Sequence, residues 1–363
     1  MKASVLVAMS GGVDSSVAAA LLKEKGYQVM GATMKIWDEG REVPFPSPRI
    51  CCSLSAVEDA MAVCEQIKVP YRLLEYQEYF KSEIVEDFCR EYRQGRTPNP
   101  CVLCNSRLKF HHFLKEAESL KCDFIATGHY ARVETDRQTG KFLLKRGMDP
   151  VKDQSYFLYG VNQEVLSRLL LPVGEFNKDQ IRHLAKTYGL SVAGKKESQE
   201  ICFIPDNDHV SFLMRRFPGD WEKGDILDMS GKVVGTHPGY MHYTIGQRRG
   251  LGVAHPVPLY VVEIRPAENV IVVGRRQDLL KQVVLVSGIN WISGHSPGAS
   301  DRVSAKIRYR HGDAEVRLDP ADESGHAFRV TFNEPQEAIT PGQSMVFYSG
   351  EIVLGGGIIE RAE

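Results

Sequence analysis

Three observations predict an α/β architecture, with a parallel sheet followed by a β-rich C-terminal part. Short continuous apolar runs, Ser4-Val5-Leu6-Val7-Ala8 and Asp123-Phe124-Ile125-Ala126-Thr127, lead into glycine turns, as central parallel strands buried on both faces do. Segments of helical period alternate with such strands as far as about residue 205. From about Gly224 the pattern becomes short alternating runs divided by Gly, Pro and Asn, which suits a small barrel or sandwich.

Taken in order, a strand over 5–9 passes through Ser10-Gly11-Gly12 into a helix over 14–25, which Gly26 stops. A second strand covers 28–34. A helix begins at Ser55, where Ser55 and Glu58 have the spacing of a capping box. The third strand covers 71–74, helices follow at 80–92 and 107–120, and the strand at 123–127 ends at Gly128. Helices at 163–171 and 179–188 precede the irregular stretch Gly194-Lys195-Lys196-Glu197-Ser198-Gln199. Further strands fall at 259–264, 270–273, 303–310, 328–332 and 344–348. There is no internal repeat and no low-complexity segment.

The chain has 363 residues, 43% hydrophobic and 25% charged, which is the composition of a globular protein of two or three domains. Lys and Arg total 45 against 46 Asp and Glu, so nucleic acid or membrane binding would have to come from local patches. No apolar run approaches the ~20 residues of a membrane span. Eight cysteines are too few for a disulfide scaffold, and a reducing, cytoplasmic setting is expected.

The motif Ser10-Gly11-Gly12-Val13-Asp14-Ser15-Ser16 lies between the first strand and the first helix. Two glycines let backbone N–H groups turn toward an anion, the helix N-terminus adds partial positive charge, and the hydroxyls of Ser10, Ser15 and Ser16 are small donors. Such a loop should cradle pyrophosphate. Gly189-x-x-x-x-Gly194-Lys195 mimics a Walker A string, but Lys196 occupies the place of its Ser or Thr and a helix precedes it, so it reads as a coincidence.

Cys101-x-x-Cys104 follows the stiff Thr97-Pro98-Asn99-Pro100 loop and leads into a helix carrying Arg107 and Lys109, a setting that favours a thiolate at Cys104. Cys202 lies about a hundred residues further on. With it, three chemistries stay open: zinc completed by His111 or His112, a sulfur-carrying pair Cys104 and Cys202, or an iron–sulfur cluster on all three thiols. The segment from Arg302 to His311 carries four formal positive charges and no acid, with Tyr309 between Arg308 and Arg310. Arg248 and Arg249 lie in a second acid-free run, Tyr243 to Gly250. Cations interleaved with aromatics suit phosphate pairing and stacking of unpaired bases.

Ser-Gly-Gly-x-Asp-Ser at this turn resembles the PP-loop of the ATP pyrophosphatases, which split ATP between its α and β phosphates; this implies ATP with Mg²⁺. Further motifs stand in the order seen in the bacterial tRNA-specific 2-thiouridylases. They are Thr97-Pro98-Asn99-Pro100-x-x-x-Cys104-Asn105, Ala126-Thr127-Gly128-His129-Tyr130, Lys152-Asp153-Gln154-Ser155-Tyr156, Glu197-Ser198-x-x-Ile201-Cys202-Phe203-Ile204, Tyr243 through Gly250, and Lys306-Ile307-Arg308-Tyr309-Arg310. The resemblance spans essentially the whole chain. It implies a PP-loop catalytic domain over 1–206, a central tRNA-binding domain over 207–278 and a C-terminal β-barrel over 279–363.

It also implies roles residue by residue. ATP would lie against Ala8, Met9, Ser10, Gly11, Gly12, Val13, Asp14 and Ser15, with Met34 and Gly128 near the adenosine and Asp14 and Ser15 helping to place Mg²⁺. Cys104 would be the catalytic cysteine and Cys202 the persulfide carrier, closing a disulfide between them after sulfur from a persulfide or sulfide source is delivered. Asn99, Pro100 and Cys101 would approach the target base, and His129, Lys152, Asp153, Gln154 and Gln343 would touch tRNA, together with Arg308 and Tyr309. The reaction implied is ATP-dependent 2-thiolation of the wobble uridine of tRNAs for Lys, Glu and Gln. Cys101 departs from the family pattern, where an acidic residue follows Asn-Pro, and with Cys104 and Cys202 it reproduces the thiol set of cluster-dependent tRNA thiolases, which hold a 4Fe–4S cluster. The rivals are an amide-forming PP-loop enzyme and a zinc-stabilised RNA-binding module without catalysis.

Overall fold

The computed structural model describes residues 2–37, 54–196, 201–204, 208–219, 221–298, 300–323 and 325–363. Cys51, Cys52 and the Glu197-Ser198-Gln199-Glu200 stretch lie outside these. The chain opens with β1 (Ser4–Ala8), α1 (Val13–Glu24), β2 (Gln28–Lys35), α2 (Leu54–Gln66) and β3 (Tyr71–Glu75). Helix α3 runs from Gln77–Phe80 through the π-helical turn Lys81–Val85 into Glu86–Arg93, and α4 from Pro100–Leu103 through the π-helical Cys104–His112 into Phe113–Ser119. After β4 (Phe124–Ala126) come a hairpin, β5 (Ala131–Thr135) and β6 (Phe142–Arg146), then α5 (Gln163–Ser167), β7 (Leu169–Leu170), α6 (Lys178–Thr187) and α7 (His209–Arg216).

Five strands pair in parallel in the order β3-β2-β1-β4-β7. Alternation along β1 shows how both faces are covered. Leu6 and Ala8 enter one core with Phe80, Phe88 and Leu108 of α3 and α4, while Val5 and Val7 enter another with Val17, Val63 and Ile181 of α1, α2 and α6.

Several elements differ from the sequence expectation. α2 is already helical at Leu54, so Ser55 lies inside it and does not cap it. α4 starts at Pro100, because proline suits the first helical position where its missing N–H costs nothing, and this brings Cys101 and Cys104 into the first turns of the helix. The helix expected over 163–171 ends at Ser167, and Leu169 and Leu170 instead extend the sheet beside β4. The strand expected over 303–310 ends at Lys306, and the chain turns so that Arg308, Tyr309 and Arg310 lie in a loop.

The central domain holds β8 (Gly224–Asp228), β9 (Val233–His237), β10 (Tyr260–Arg265) and β11 (Val270–Gly274), ordered β10-β11-β8-β9 around Ile226, Val261 and Ile271. The C-terminal domain holds β12 (Leu280–Trp291), β13 (Val303–Lys306), β14 (Ala314–Pro320), β15 (Phe328–Glu337), β16 (Ser344–Ser349) and β17 (Ile352–Ala362). Pairing of β12 with β17 closes these strands into a barrel. The β5–β6 hairpin joins that sheet from the first domain, through Leu144 opposite Val353 and Lys145 opposite Ile352. Among the described residues no helix is long and apolar enough to cross a membrane.

Candidate active site

Strand order reverses direction between β1 and β4, and the crevice beyond the carboxyl ends of such strands is where open α/β sheets bind ligands. The glycine loop sits there. Gly11 has φ +65°, and a Cβ on it would lie 2.2 Å from the Ala56 carbonyl oxygen. Gly12 is the extended N-cap of α1, and its carbonyl accepts hydrogen bonds from Ser16 Oγ (2.8 Å) and Ser15 Oγ (3.2 Å). The hydroxyls of Ser15 and Ser16 therefore brace the loop, Ser10 N donates to Ser15 Oγ at 3.2 Å, and the N–H groups from Gly11 to Asp14 at the turn are the ones suited to act as anion donors. Gly128, just beyond β4, closes the other side: a Cβ there would be 2.6 Å from Ser15 N.

Asp14, expected to help place a metal, is engaged otherwise. Its carboxylate accepts from Lys178 Nζ at 2.7 and 2.9 Å and from Tyr130 Oη at 2.7 Å, so it serves as the anchor of a largely buried lysine. A second lysine, Lys195, donates to the Gly11 carbonyl at 3.0 Å and to Asp59 Oδ2 at 2.5 Å. Sequence reasoning missed Lys178 and gave Tyr130, quoted in the Ala126–Tyr130 motif, no role; Lys195 had a signal in the Gly-x-x-x-x-Gly-Lys string, which reads as a coincidence in sequence.

One cleft of about 1690 Å³ gathers the expected residues: the loop from Ala8 to Ser15, Met34, Asn99, Pro100, Cys101, Cys104, Gly128, His129, Lys152, Asp153, Gln154, Cys202, Arg308, Tyr309 and Gln343. Cys104 is buried on α4, whereas Cys101 and Cys202 are half-exposed. Cys202 belongs to a tight turn in which Ile204 N donates to Ile201 O at 3.0 Å. Its neighbour Phe203 plugs an aromatic box, with ring centroids 5.5 Å from Phe80, 5.3 Å from Phe88 and 5.5 Å from Phe212. Edge-to-face packing of this kind fixes a ring firmly, so the thiol beside it is held from below.

Several expected tRNA contacts have structural work inside the cleft wall. The buried Asp153 carboxylate accepts from Gly147 N, Ser155 N and Ser155 Oγ, shaping its own loop. Gln154 Oε1 accepts from Tyr130 N at 2.9 Å, and Arg308 Nη2 donates to Glu337 O at 2.8 Å. Gln343 Nε2, from the barrel, donates to Thr97 O at 2.7 Å and Pro98 O at 3.2 Å, gripping the loop ahead of Cys101. Tyr309 packs on Phe157 with ring centroids 4.6 Å apart.

The wall is cationic. Lys109, Arg146, Lys152, Lys306, Arg308 and Arg310 all face the cleft. Burial, then the nearby Arg146, push the Lys306 ammonium below its ordinary pKa, as expected where like charges crowd together before an anion arrives. Burial, then Lys109, hold the His129 imidazole well below the usual histidine range, so it is neutral near pH 7, with Nδ1 2.8 Å from Thr127 Oγ1. Arg248 lies elsewhere, in a smaller pocket of about 540 Å³ with residues 250–259 of the central domain.

The structure lends no support to an iron–sulfur or zinc centre. Among the described residues no three of His, Cys, Asp and Glu, the set Cys101, Cys104 and Cys202 with His111 or His112 included, are placed to hold a metal ion. Sharing one large cleft is a looser arrangement than coordination requires.

A HUP-type parallel-sheet domain with a PP-loop at its switch point, a PRC-barrel and a closed β-barrel define a PP-loop enzyme class. Residues 3–206 match the family described as tRNA methyl transferase HUP domain, 211–275 the tRNA methyl transferase PRC-barrel domain, and 281–359 the aminomethyltransferase beta-barrel domain. Among full-length relatives, the tRNA-specific 2-thiouridylase MnmA of Geotalea uraniireducens is 48% identical, covering 99% of this chain and 95% of its own. Those of Clostridium botulinum Eklund 17B (47% identical, 99% and 98%) and Clostridioides difficile 630 (44% identical, 100% and 99%) match similarly. The chain belongs to the tRNA-specific 2-thiouridylase family.

Proposed function

We propose that the protein is a tRNA-uridine 2-sulfurtransferase that activates O2 of the wobble uridine with ATP and replaces it with sulfur carried on Cys202, in tRNAs for Lys, Glu and Gln. The observation that carries this reading is that the glycine loop, Cys104 and Cys202 share one cleft whose far wall is a run of cations from the barrel. Within it, the catalytic domain spans 1–206, the central tRNA-binding domain 207–278 and the barrel 279–363.

In the first step O2 of uridine attacks the α-phosphorus of ATP, which enters with Mg²⁺; the bond to the β-phosphate oxygen breaks, pyrophosphate leaves, and the N3 proton passes to solvent. Adenylation turns a poor oxygen leaving group into a good one. The terminal sulfur of a Cys202 persulfide then attacks C2, and the C2–O bond breaks with departure of AMP. The Cys104 thiolate attacks Cys202 Sγ, the electron pair of the S–S bond passes to the sulfur on C2, and a Cys104–Cys202 disulfide remains. A dithiol reductant opens it, after which a persulfide donor passes its outer sulfur to the Cys202 thiolate and leaves as a thiolate; alternatively hydrosulfide attacks Cys202 Sγ of the disulfide itself, forming the persulfide and releasing the Cys104 thiolate. The anchored turn around Phe203 supports a carrier that is positioned and does not wander.

The test is thiolation of unmodified tRNA, with pyrophosphate release followed in parallel, for Cys104→Ala and Cys202→Ala. Both variants should lose 2-thiouridine formation, while Cys202→Ala should still release pyrophosphate when tRNA is added. Full thiolation by Cys202→Ala would overturn the proposal. Methyl transfer, suggested by the wording of two matched families, would release no pyrophosphate; an amide-forming enzyme would release it in response to a small acid and not to tRNA.

A further inference from the structure

The Gly189-x-x-x-x-Gly194-Lys195 string is not a Walker loop. Gly189, at φ +65°, ends α6, and nothing lies within 4 Å of the Cβ position on Gly194, so neither glycine wraps a ligand. The segment is nonetheless held in place. Leu190 and Val192 are buried in the core behind the sheet, Ser191 N donates to Gln66 Oε1 at 3.2 Å, and Lys195 N donates to Val192 O at 2.9 Å. That fixed backbone delivers the Lys195 side chain across the cleft to the other glycine loop, where Nζ donates to the Gly11 carbonyl at 3.0 Å.

We infer that Lys195 is a positioning residue for the pyrophosphate part of ATP. Three features converge on this. The ammonium stands on the loop whose N–H groups would face the phosphates, so a short swing of a flexible four-carbon arm takes it from a backbone carbonyl to a phosphate oxygen. Its resting partner Asp59 is a partly exposed carboxylate, and an exposed pair of this sort holds a lysine weakly. Of the two lysines seen bonded at the glycine loop and the start of α1, Lys178 is committed, gripped by both oxygens of Asp14 and largely buried, whereas Lys195 is the one whose partners let it answer a change in charge at the loop. A positive charge on the departing pyrophosphate would act where negative charge grows in the adenylation step.

This rests on the reading that ATP binds at the glycine loop, and titration separates the two. Binding of ATP, AMP and inorganic pyrophosphate is measured by calorimetry on the whole protein, its Lys195→Met and Lys195→Arg variants, and Asp59→Asn. Loss of one charge-assisted bond should weaken ATP and pyrophosphate by roughly 10- to 100-fold in Lys195→Met. AMP, which lacks those phosphates, should bind as before, and Lys195→Arg should recover much of the loss. Asp59→Asn releases the ammonium from its resting partner and should tighten ATP by up to about fivefold. Equal weakening of ATP and AMP in Lys195→Met, or weakening of ATP by Asp59→Asn, would mean that the residue only braces the loop and would overturn the inference. Failure of the unsubstituted protein to bind ATP would instead overturn the reading on which it rests.

Discussion

Gln343→Met asks whether a side chain expected to touch tRNA acts on RNA or on the protein. In the structure its amide nitrogen is shared between the carbonyls of Thr97 and Pro98, at 2.7 and 3.2 Å, on the segment that enters α4 ahead of Cys101 and Cys104. Methionine keeps the length and apolar stem and removes the donor. Each lost bond costs ~0.5–1.5 kcal/mol net, more where the abandoned carbonyl stays dry. The contacts are partly buried, so water recovers some of this, and ~1–2 kcal/mol for the pair is a fair figure. If the loop geometry matters most when sulfur reaches C2, that energy appears in the transition state as a fall in kcat of roughly 5- to 30-fold. Steady-state thiolation over a range of tRNA concentrations gives the answer, with KM for tRNA expected to stay within about twofold. A raised KM with unchanged kcat would show uniform loss of substrate binding and would refute the positioning role.

Other outcomes follow from the same contacts. Gly128→Ala drives a Cβ to 2.6 Å from the Ser15 nitrogen, a backbone atom that cannot swing aside; it should cost ~1–3 kcal/mol in urea unfolding and displace the loop enough to abolish measurable ATP binding. Lys178→Met strands the Asp14 carboxylate against Tyr130 and should destabilise by ~2 kcal/mol, with partial recovery in the Asp14→Asn, Lys178→Met double variant; no recovery would mean the pair is not coupled. Glu360 is raised by burial but lowered further by hydrogen bonds from Arg96 and Ser287, so its folded pKa lies below the ordinary 4.5. Its share of stability is therefore full above about pH 4.5 and lost as pH falls through the lower folded value, and Glu360→Gln should flatten that part of the stability–pH curve.

The parts of the fold that were legible in the sequence are those decided by neighbours in sequence. β1, α1 and the glycine turn between them are one local unit, and continuous apolarity with a helix start is enough to read them. β5 and β6 were missed because the strand that completes them, β17, lies some two hundred residues away and their own sequences carry Arg132, Glu134 and Lys145. β17 was missed for a related reason. Its Gly355-Gly356-Gly357 run has poor strand propensity, yet side chains there would collide with Asn290 O at 2.2 Å, Met345 O at 2.7 Å and Ser287 O at 2.6 Å, so barrel closure demands glycine where local preference argues against a strand. In the site, motif residues were found because their types are rare and ordered. Lys178 and Arg146 were not, since a lysine on an amphipathic helix or an arginine at a strand end looks like solvated surface until the tertiary structure turns it inward.

The segment ahead of α4 explains why such a site is spread over three domains. Tyr240 Oη of the central domain donates to Arg93 O at 2.7 Å, and Thr244 Oγ1 lies 3.2 Å from Thr97 Oγ1. From the barrel, Pro341 O accepts from Thr97 N at 2.9 Å, Glu360 meets Arg96 Nη1 at 2.5 Å, and Gln343 takes the next two carbonyls. A proline-stiffened loop has few hydrogen bonds of its own to fix it, so its backbone groups must find partners outside. Here those partners come from the same barrel that presents Lys306, Arg308 and Arg310 to the cleft. The cations that would receive RNA and the contacts on the loop ahead of Cys104 thus come from strands and turns of one barrel, so a shift of the barrel on its substrate would move both together. On the proposed reaction, correct seating of RNA and correct placement of the cysteine loop would become a single geometric condition, and a site built from separate domains would thereby keep ATP from being spent on a substrate that sulfur cannot reach.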